Sequence, residues 1–221
     1  MPDKLALWKQ ALIHLQKETI ATLTDDVESC YVFANAWNGV VLEAFNEGDW
    51  NFAKKSVQLA QSGTGTLAVG WSYVFDYPAD YIRTIEVSSQ PNFNRAYFVD
   101  YVDENGFLSA RTTTVFLRYI SNEKTADNKV SLWPPMFWRY VAAKLAYETC
   151  GRLTSGDALE QKLEKRKDKT LRQAKSVDAR QEKVKQVGPG SWMNARTGFL
   201  GGNRQFSTTI GGDIQFDEGD V

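Results

Sequence analysis

The chain has 221 residues, with 26 Lys/Arg against 27 Asp/Glu and a formal net charge of −1. That balance excludes a whole-protein field drawing it onto nucleic acid or membrane, while 43% hydrophobic and 13% aromatic residues supply a core for one domain with an embellishment and a tail. No run of about 18 apolar residues occurs, which excludes a membrane-spanning helix. Lys4–Leu15 lacks the continuous apolar stretch of a signal peptide, so the expectation is a soluble protein made in a reducing cytoplasm.

Asp3 caps a first helix with apolar positions Leu5, Trp8, Leu12 and Leu15. Asp25 and Glu28 have the spacing of a capping box. They predict a second helix with a stripe at Val27, Cys30, Tyr31, Ala34, Trp37, Val41, Leu42 and Phe45, ended by Gly48. Asp49-Trp50-Asn51-Phe52 opens a short helix to about Leu59. After Gly63-Thr64-Gly65 the pattern alternates, predicting strands Trp71–Tyr77, Tyr81–Val87, Tyr97–Val102 and Thr112–Ile120 in one small antiparallel sheet. Asn105-Gly106 supplies hairpin chemistry before Phe107-Leu108. Pro134-Pro135 starts a helix that buries Phe137, Trp138, Val141, Ala142, Leu145, Ala146 and Thr149, stopped by Gly151. Asp157 opens a charged helix to about Val187, with Leu159, Leu163, Leu171, Ala174, Val177 and Val184 as a thin apolar stripe.

The remainder, Gly188 to Val221, holds eight of the sixteen glycines yet keeps Trp192, Phe199, Leu200, Phe206, Ile210, Ile214 and Phe216 at intervals. The glycines oppose a long helix or an independent core. The spaced apolar residues oppose a disordered linker. Both facts fit an arm that orders along another subunit, reaching on the order of 100 Å when extended. The charge is uneven as well: residues 157–187 hold ten Lys/Arg against six Asp/Glu, and the arm ends in Asp213, Asp217, Glu218 and Asp220. A basic helix beside an acidic-ended arm suits contacts between neighbouring copies. The fold class expected is α+β. Residues 1–62 and 132–187 form a helical bundle, residues 63–131 an inserted antiparallel β module, and residues 188–221 an extended C-terminal arm.

Several joints in this order resemble the tail tubular protein A, or head-to-tail adaptor (connector), family of short-tailed bacteriophages. They are Leu23-Thr24-Asp25-Asp26, Asp49-Trp50-Asn51-Phe52-Ala53, Tyr73–Phe75, Tyr77-Pro78-Ala79-Asp80-Tyr81-Ile82-Arg83, Leu117-Arg118-Tyr119-Ile120, Trp133-Pro134-Pro135-Met136-Phe137 and the Ala142–Leu145–Ala146 face. The resemblance covers roughly residues 5–187 and lies in the order of the joints. It implies a structural virion protein at the head-to-tail interface, without catalysis or cofactor. Such a protein forms a dodecameric ring between the portal protein and a downstream tail (nozzle) protein, and genome DNA passes non-specifically through the lumen. Trp192, Phe199, Leu200, Phe206, Ile210, Ile214 and Phe216 then become portal contacts, led by Trp192 as anchor. Lys162, Lys165, Arg166, Lys169 and Arg172 become contacts between subunits. Family members often carry a glycine-containing joint after the first helix, where this chain reads His14-Leu15-Gln16-Lys17-Glu18. Ring adaptors of long-tailed phages and gene transfer particles share the helical-bundle core.

Other chemistry is weak. His14 is the only histidine, which removes His-His metal sites and most His-based relays, and it reads as structural. Cys30 and Cys150 read as buried free thiols, with a disulfide or metal pair as the alternative. Helix capping accounts for Asp25-Asp26-Glu28, and turn formation for Asp76 and Asp80. Gly63-x-Gly65 and Gly201-Gly202 lack the Lys-Ser/Thr of a phosphate loop. The competing function is a nucleic-acid-binding module in which Lys162, Lys165, Arg166, Lys167, Lys169 and Arg172 face phosphates. Against it stand Glu160, Glu164 and Asp168 at pairing distances, and the lack of stacking aromatics.

Overall fold

Asp3 opens α1 (Lys4–Leu15) by accepting the Ala6 N–H at 2.7 Å, as its position before the apolar period requires. The computed structural model describes residues 3–94, 97–154 and 156–181. The end of α1 falls in the His14-Leu15-Gln16-Lys17-Glu18 joint. Gln16 there takes the left-handed conformation, φ 58°, while Gln16 N–H and Lys17 N–H bond back to Ile13 and Leu12 carbonyls at 3.2 and 3.0 Å. This Schellman-type closure is made without glycine, at some conformational cost.

The capping box does not form. Helix α2 (Glu28–Asn46) has Val27 at its N-cap and no side-chain cap. Asp25 faces backward instead, accepting from Ala21 N, Thr22 N and Thr22 Oγ1 at 2.6, 3.1 and 2.5 Å. Hydrogen bonds from Thr22 and then Ala21 hold its carboxyl below the usual range. The buried stripe of α2 is also rotated from the expected one, running through Cys30, Phe33, Trp37, Val40, Val41, Ala44 and Phe45. Trp8 helps to select it by packing edge-on against Phe33 and Trp37. Val27, Tyr31, Ala34 and Leu42 face outward.

The short helix expected to run to Leu59 is only a 3-10 turn, Asn51–Ala53, followed by strand β1 (Lys54–Gln58). Trp50 is buried against Phe137, with ring centroids 4.8 Å apart, and donates to the Ala44 carbonyl at 2.8 Å. A Cβ at Gly48 would lie 2.8 Å from that indole, so the close approach accounts for glycine there.

The single expected sheet is two sheets of three strands. One has the order β1-β6-β3, with β3 (Tyr81–Ser88) and β6 (Phe116–Ser121). The other has the order β2-β5-β4, with β2 (Tyr73–Asp76), β4 (Tyr101–Glu104) and β5 (Phe107–Ala110). The β4–β5 hairpin turns at Asn105-Gly106, both at positive φ, as that dipeptide predicts. The expected strand at 97–102 starts only at Tyr101, Phe98 making one isolated bridge to Ser88. The module packs its own core of Leu59, Phe75, Val87, Leu108, Ala110, Val115, Leu117 and Tyr119. Because β1 pairs with β6 from Lys54↔Ile120 to Gln58↔Phe116, the module begins at residue 54 rather than 63.

Helix α3 (Pro135–Leu153) passes through Gly151 instead of stopping there. Its Ala142, Ala143 and Ala146 are fully buried, and small side chains let neighbouring helices approach closely. Trp37 and Trp50 are buried as expected; Trp138 is only half-buried, and its indole N–H has no partner among the described residues. Lys144 is buried within the helix and pairs with Glu47 at 2.6 Å and Glu43 at 3.1 Å. The Tyr140 hydroxyl also donates to Glu47. Helix α4 (Asp157–Ala179) packs Leu163 and Ala174 inward and ends before the expected Val187, with Arg180 and Gln181 in a turn. Its last turn is tied to the start of the module: Asn51 N–H donates to the Asp178 carboxylate at 3.0 Å, and Asn51 Nδ2 to the Asp178 carbonyl at 2.7 Å. Helices and sheets belong to one compact unit. The arm, with Trp192, Phe199, Leu200, Phe206, Ile210, Ile214 and Phe216, lies outside the described residues.

Candidate functional site

Five of the α4 cations gather on one flank of the helix, while Lys167 and Lys175 share the other flank with the acids. At 3.6 residues per turn, Lys162, Lys165, Arg166, Lys169 and Arg172 fall within an arc of about 120°, on one flank of the buried Leu163–Ala174 line. Glu160, Glu164 and Asp168 occupy the other flank. The expected pairing along the rod is therefore absent among the described residues, apart from Lys167 and Asp168 at 4.0 Å. Lys167 is also turned out of the basic face, its ammonium lying 4.2 Å from the Tyr147 ring centroid.

Three of the five cations meet other helices at a cleft of about 490 Å³. Lys165, Arg166, Lys169, Thr170 and Gln173 come from α4, Arg139 from the exposed side of α3, and Gln10 and His14 from one face of α1. Among the described residues no carboxylate lines it. Arg139, Lys165, Arg166 and Lys169 form none of the ion pairs found among the described residues. Lys162 and Arg172 lie on the same arc outside the cleft.

His14 is the link between α1 and this basic face. An Arg166 guanidinium nitrogen lies 2.7 Å from His14 Nδ1, and Gln10 Nε2 lies 3.4 Å from His14 Nε2. Burial first, then the Arg166 cation, lowers the imidazole to about 4. At neutral pH it is uncharged, so Nδ1 accepts from arginine and the ring proton belongs on Nε2, which the Gln10 amide can accept only through its Oε1, with the amide turned over. His14 holds the Arg166 fork in place. The Thr170 hydroxyl is used locally, donating to the Arg166 and Lys167 carbonyls at 2.9 Å.

The sequence picked out Lys165, Arg166 and Lys169 but missed Arg139, Gln10 and His14 as their neighbours. The Gln10–His14 spacing of four was the one available signal, since it places both on one helix face.

The other polar clusters are internally satisfied. Asp80 does sit at the expected turn, but it accepts from Lys55 Nζ, Tyr119 Oη and Ser121 Oγ at 2.7, 2.9 and 2.6 Å. Burial opposes its charge, and these hydrogen bonds outweigh burial, lowering it to about 2. Cys30 and Cys150 are buried free thiols, as expected. Among the described residues no group of three or more His, Cys, Asp or Glu could hold a metal ion, and no helix is long and apolar enough to cross a membrane. No family model matches the chain, and no curated protein matches it.

Proposed function

We propose that this chain is a structural head-to-tail adaptor of a bacteriophage-like virion, oligomerising into a ring between a portal protein and a downstream tail protein, with genome DNA passing through the lumen. The observation that supports it best is the architecture at the resembling joints. A helical bundle is interrupted after α2 by a β module and resumes at Trp133-Pro134-Pro135. The outward stripe of α2 adds to this: Val27, Tyr31 and Leu42 are 42%, 60% and 46% exposed, apolar surface of the kind a neighbouring copy covers. In this reading the arm carries the portal contacts, with Trp192 as anchor, and ring repetition compensates the cost of ordering it. The subunits meet head to tail, because a ring needs two different complementary faces on each copy.

Electron microscopy of intact particles carrying the chain, labelled with antibody to the β4–β5 hairpin, tests the location. Label confined to the head-to-tail vertex is expected; label elsewhere overturns the reading. Deleting residues 188–221 is expected to leave thermal unfolding unchanged and to abolish portal attachment. Undiminished attachment of the truncated protein removes the role given to the arm.

A further inference from the structure

We propose that the cleft between α1, α3 and α4 is a phosphodiester site, in which Arg139, Lys165, Arg166 and Lys169 hold backbone phosphates of a nucleic acid and Lys162 and Arg172 extend the contact along α4. The proposal stands on the cleft alone and does not rest on the adaptor reading.

Four cations from two helices line one recess, and among the described residues no acid lines it or pairs with them. Such an arrangement costs self-repulsion and is relieved by a compact anion. A phosphate presents several oxygens to convergent donors, and arginine can bind it with two parallel N–H bonds. Arg166 is already oriented for this, since the His14 contact fixes its guanidinium at 2.7 Å.

Carboxylates on a facing helix would suit the site less. They stand about 6 Å apart at successive i, i+4 positions and meet a flat row of lysines better than a recess. The row from Lys162 to Arg172 spans about 15 Å at 1.5 Å per residue, several times the 3.4 Å rise between phosphates on one strand. The contact therefore favours a polymer backbone over a lone phosphate. Among the described residues no aromatic side chain lines the cleft, so these residues offer bases nothing to stack on and their binding is indifferent to sequence.

The test is fluorescence anisotropy of the full chain with labelled duplexes of about 20 base pairs and unrelated sequences, between roughly 50 and 200 mM salt. With four to six phosphate contacts, log K is expected to fall against log salt with a slope of about −4 to −5. Both sequences should bind with equal affinity. The variant R139Q/K165Q/K169Q changes only exposed side chains, so its melting temperature should hold while its slope becomes shallower by about 3. The variant K17Q/K175Q/R180Q, which makes the same change in net charge outside the cleft, should keep the wild-type slope.

The proposal is overturned by no binding of duplex; by equal losses in both variants; by polyglutamate competing as well as DNA at equal charge, which assigns the cleft to an acidic protein; or by inorganic phosphate displacing the duplex as effectively per phosphate, which assigns it to a small anion. Salt-sensitive self-association without DNA binding also overturns it, in favour of a contact between subunits.

Discussion

Glu43 and Glu47 contact the same lysine, and burial predicts very different consequences for removing them. The Lys144 side chain is 3% exposed, Glu47 29% and Glu43 60%. Replacing Glu47 with alanine leaves a buried ammonium with one solvent-exposed partner and strips the Tyr140 hydroxyl of its acceptor. Breaking a buried pair from one side costs about 3–5 kcal/mol. Because water can reach the vacated Glu47 position, the lower end, about 3 kcal/mol, is expected for Glu47→Ala. Glu43→Ala removes an exposed partner and should cost less than about 1 kcal/mol. In Glu47→Ala/Lys144→Met the stranded charge is gone, so about 2 kcal/mol of the single-variant loss should return. Urea unfolding followed by tryptophan fluorescence reads all three as midpoint shifts at constant m. Equal losses from Glu43→Ala and Glu47→Ala, or a double variant no more stable than Glu47→Ala, would refute the reasoning. Burial opposes the Lys144 charge, but the two carboxylates outweigh it and raise its titration. The stabilisation is therefore complete below the ordinary lysine value and lost as pH rises beyond it.

Acid should act through two further groups. Asp80 titrates at about 2 in the fold against 3.8 ordinarily. Its contribution is present above 3.8 and disappears as pH falls through 2; discounted for partial exposure it is about 1–2 kcal/mol, and Asp80→Asn should flatten stability over that window in acid unfolding curves. His14 titrates at about 4 against 6.5, so the unfolded chain takes up its proton first and stability falls as pH drops from 6.5 to 4. After discounting its half-exposed ring, about 1 kcal/mol is expected, and His14→Gln should lack that loss in urea titrations at both pH values. Gln16→Gly relieves the left-handed conformation closing α1 and should raise stability by about 0.5–1 kcal/mol; a lower urea midpoint would contradict the strain.

Helix α1 was legible because Asp3 and the apolar spacing agree, and α3 because Pro134-Pro135 precedes an unbroken apolar face. The orientation of α2 was not, since Val27, Tyr31 and Leu42 compete with Phe33, Val40 and Ala44 at helical spacing, and packing against Trp8, Trp133 and Phe137 decides between them. Strand β1 left no local trace. Its Lys54-Lys55-Ser56-Val57-Gln58 is an edge strand with mostly exposed side chains, lysine-rich as edges often are, and its conformation is imposed by β6, far along the chain. The cleft was half visible. Lys165, Arg166 and Lys169 form an obvious basic run, but Glu160, Glu164 and Asp168 were expected to pair along it, although their successive i, i+4 spacing gives them a face of their own. Nothing local connects that run to Arg139 or His14, because helix packing alone brings them together.

The pairing of β1 with β6 gives the chain a narrow neck. The polypeptide leaves the bundle along Lys54–Gln58 and returns along Phe116–Ser121, with Gln58 directly opposite Phe116. Directly paired residues in an antiparallel ladder lie about 5 Å apart, so the 59–115 excursion opens and closes at nearly one point. Strand β3 anchors this excursion midway, since it also pairs with β6 and its Ile82 and Ile85 pack against the helical core. Gln58 and Ser88 both stand opposite Phe116, so the segments on either side of β3 can change length at only about 0.6 kcal/mol in closure entropy per doubling while the helices stay in place.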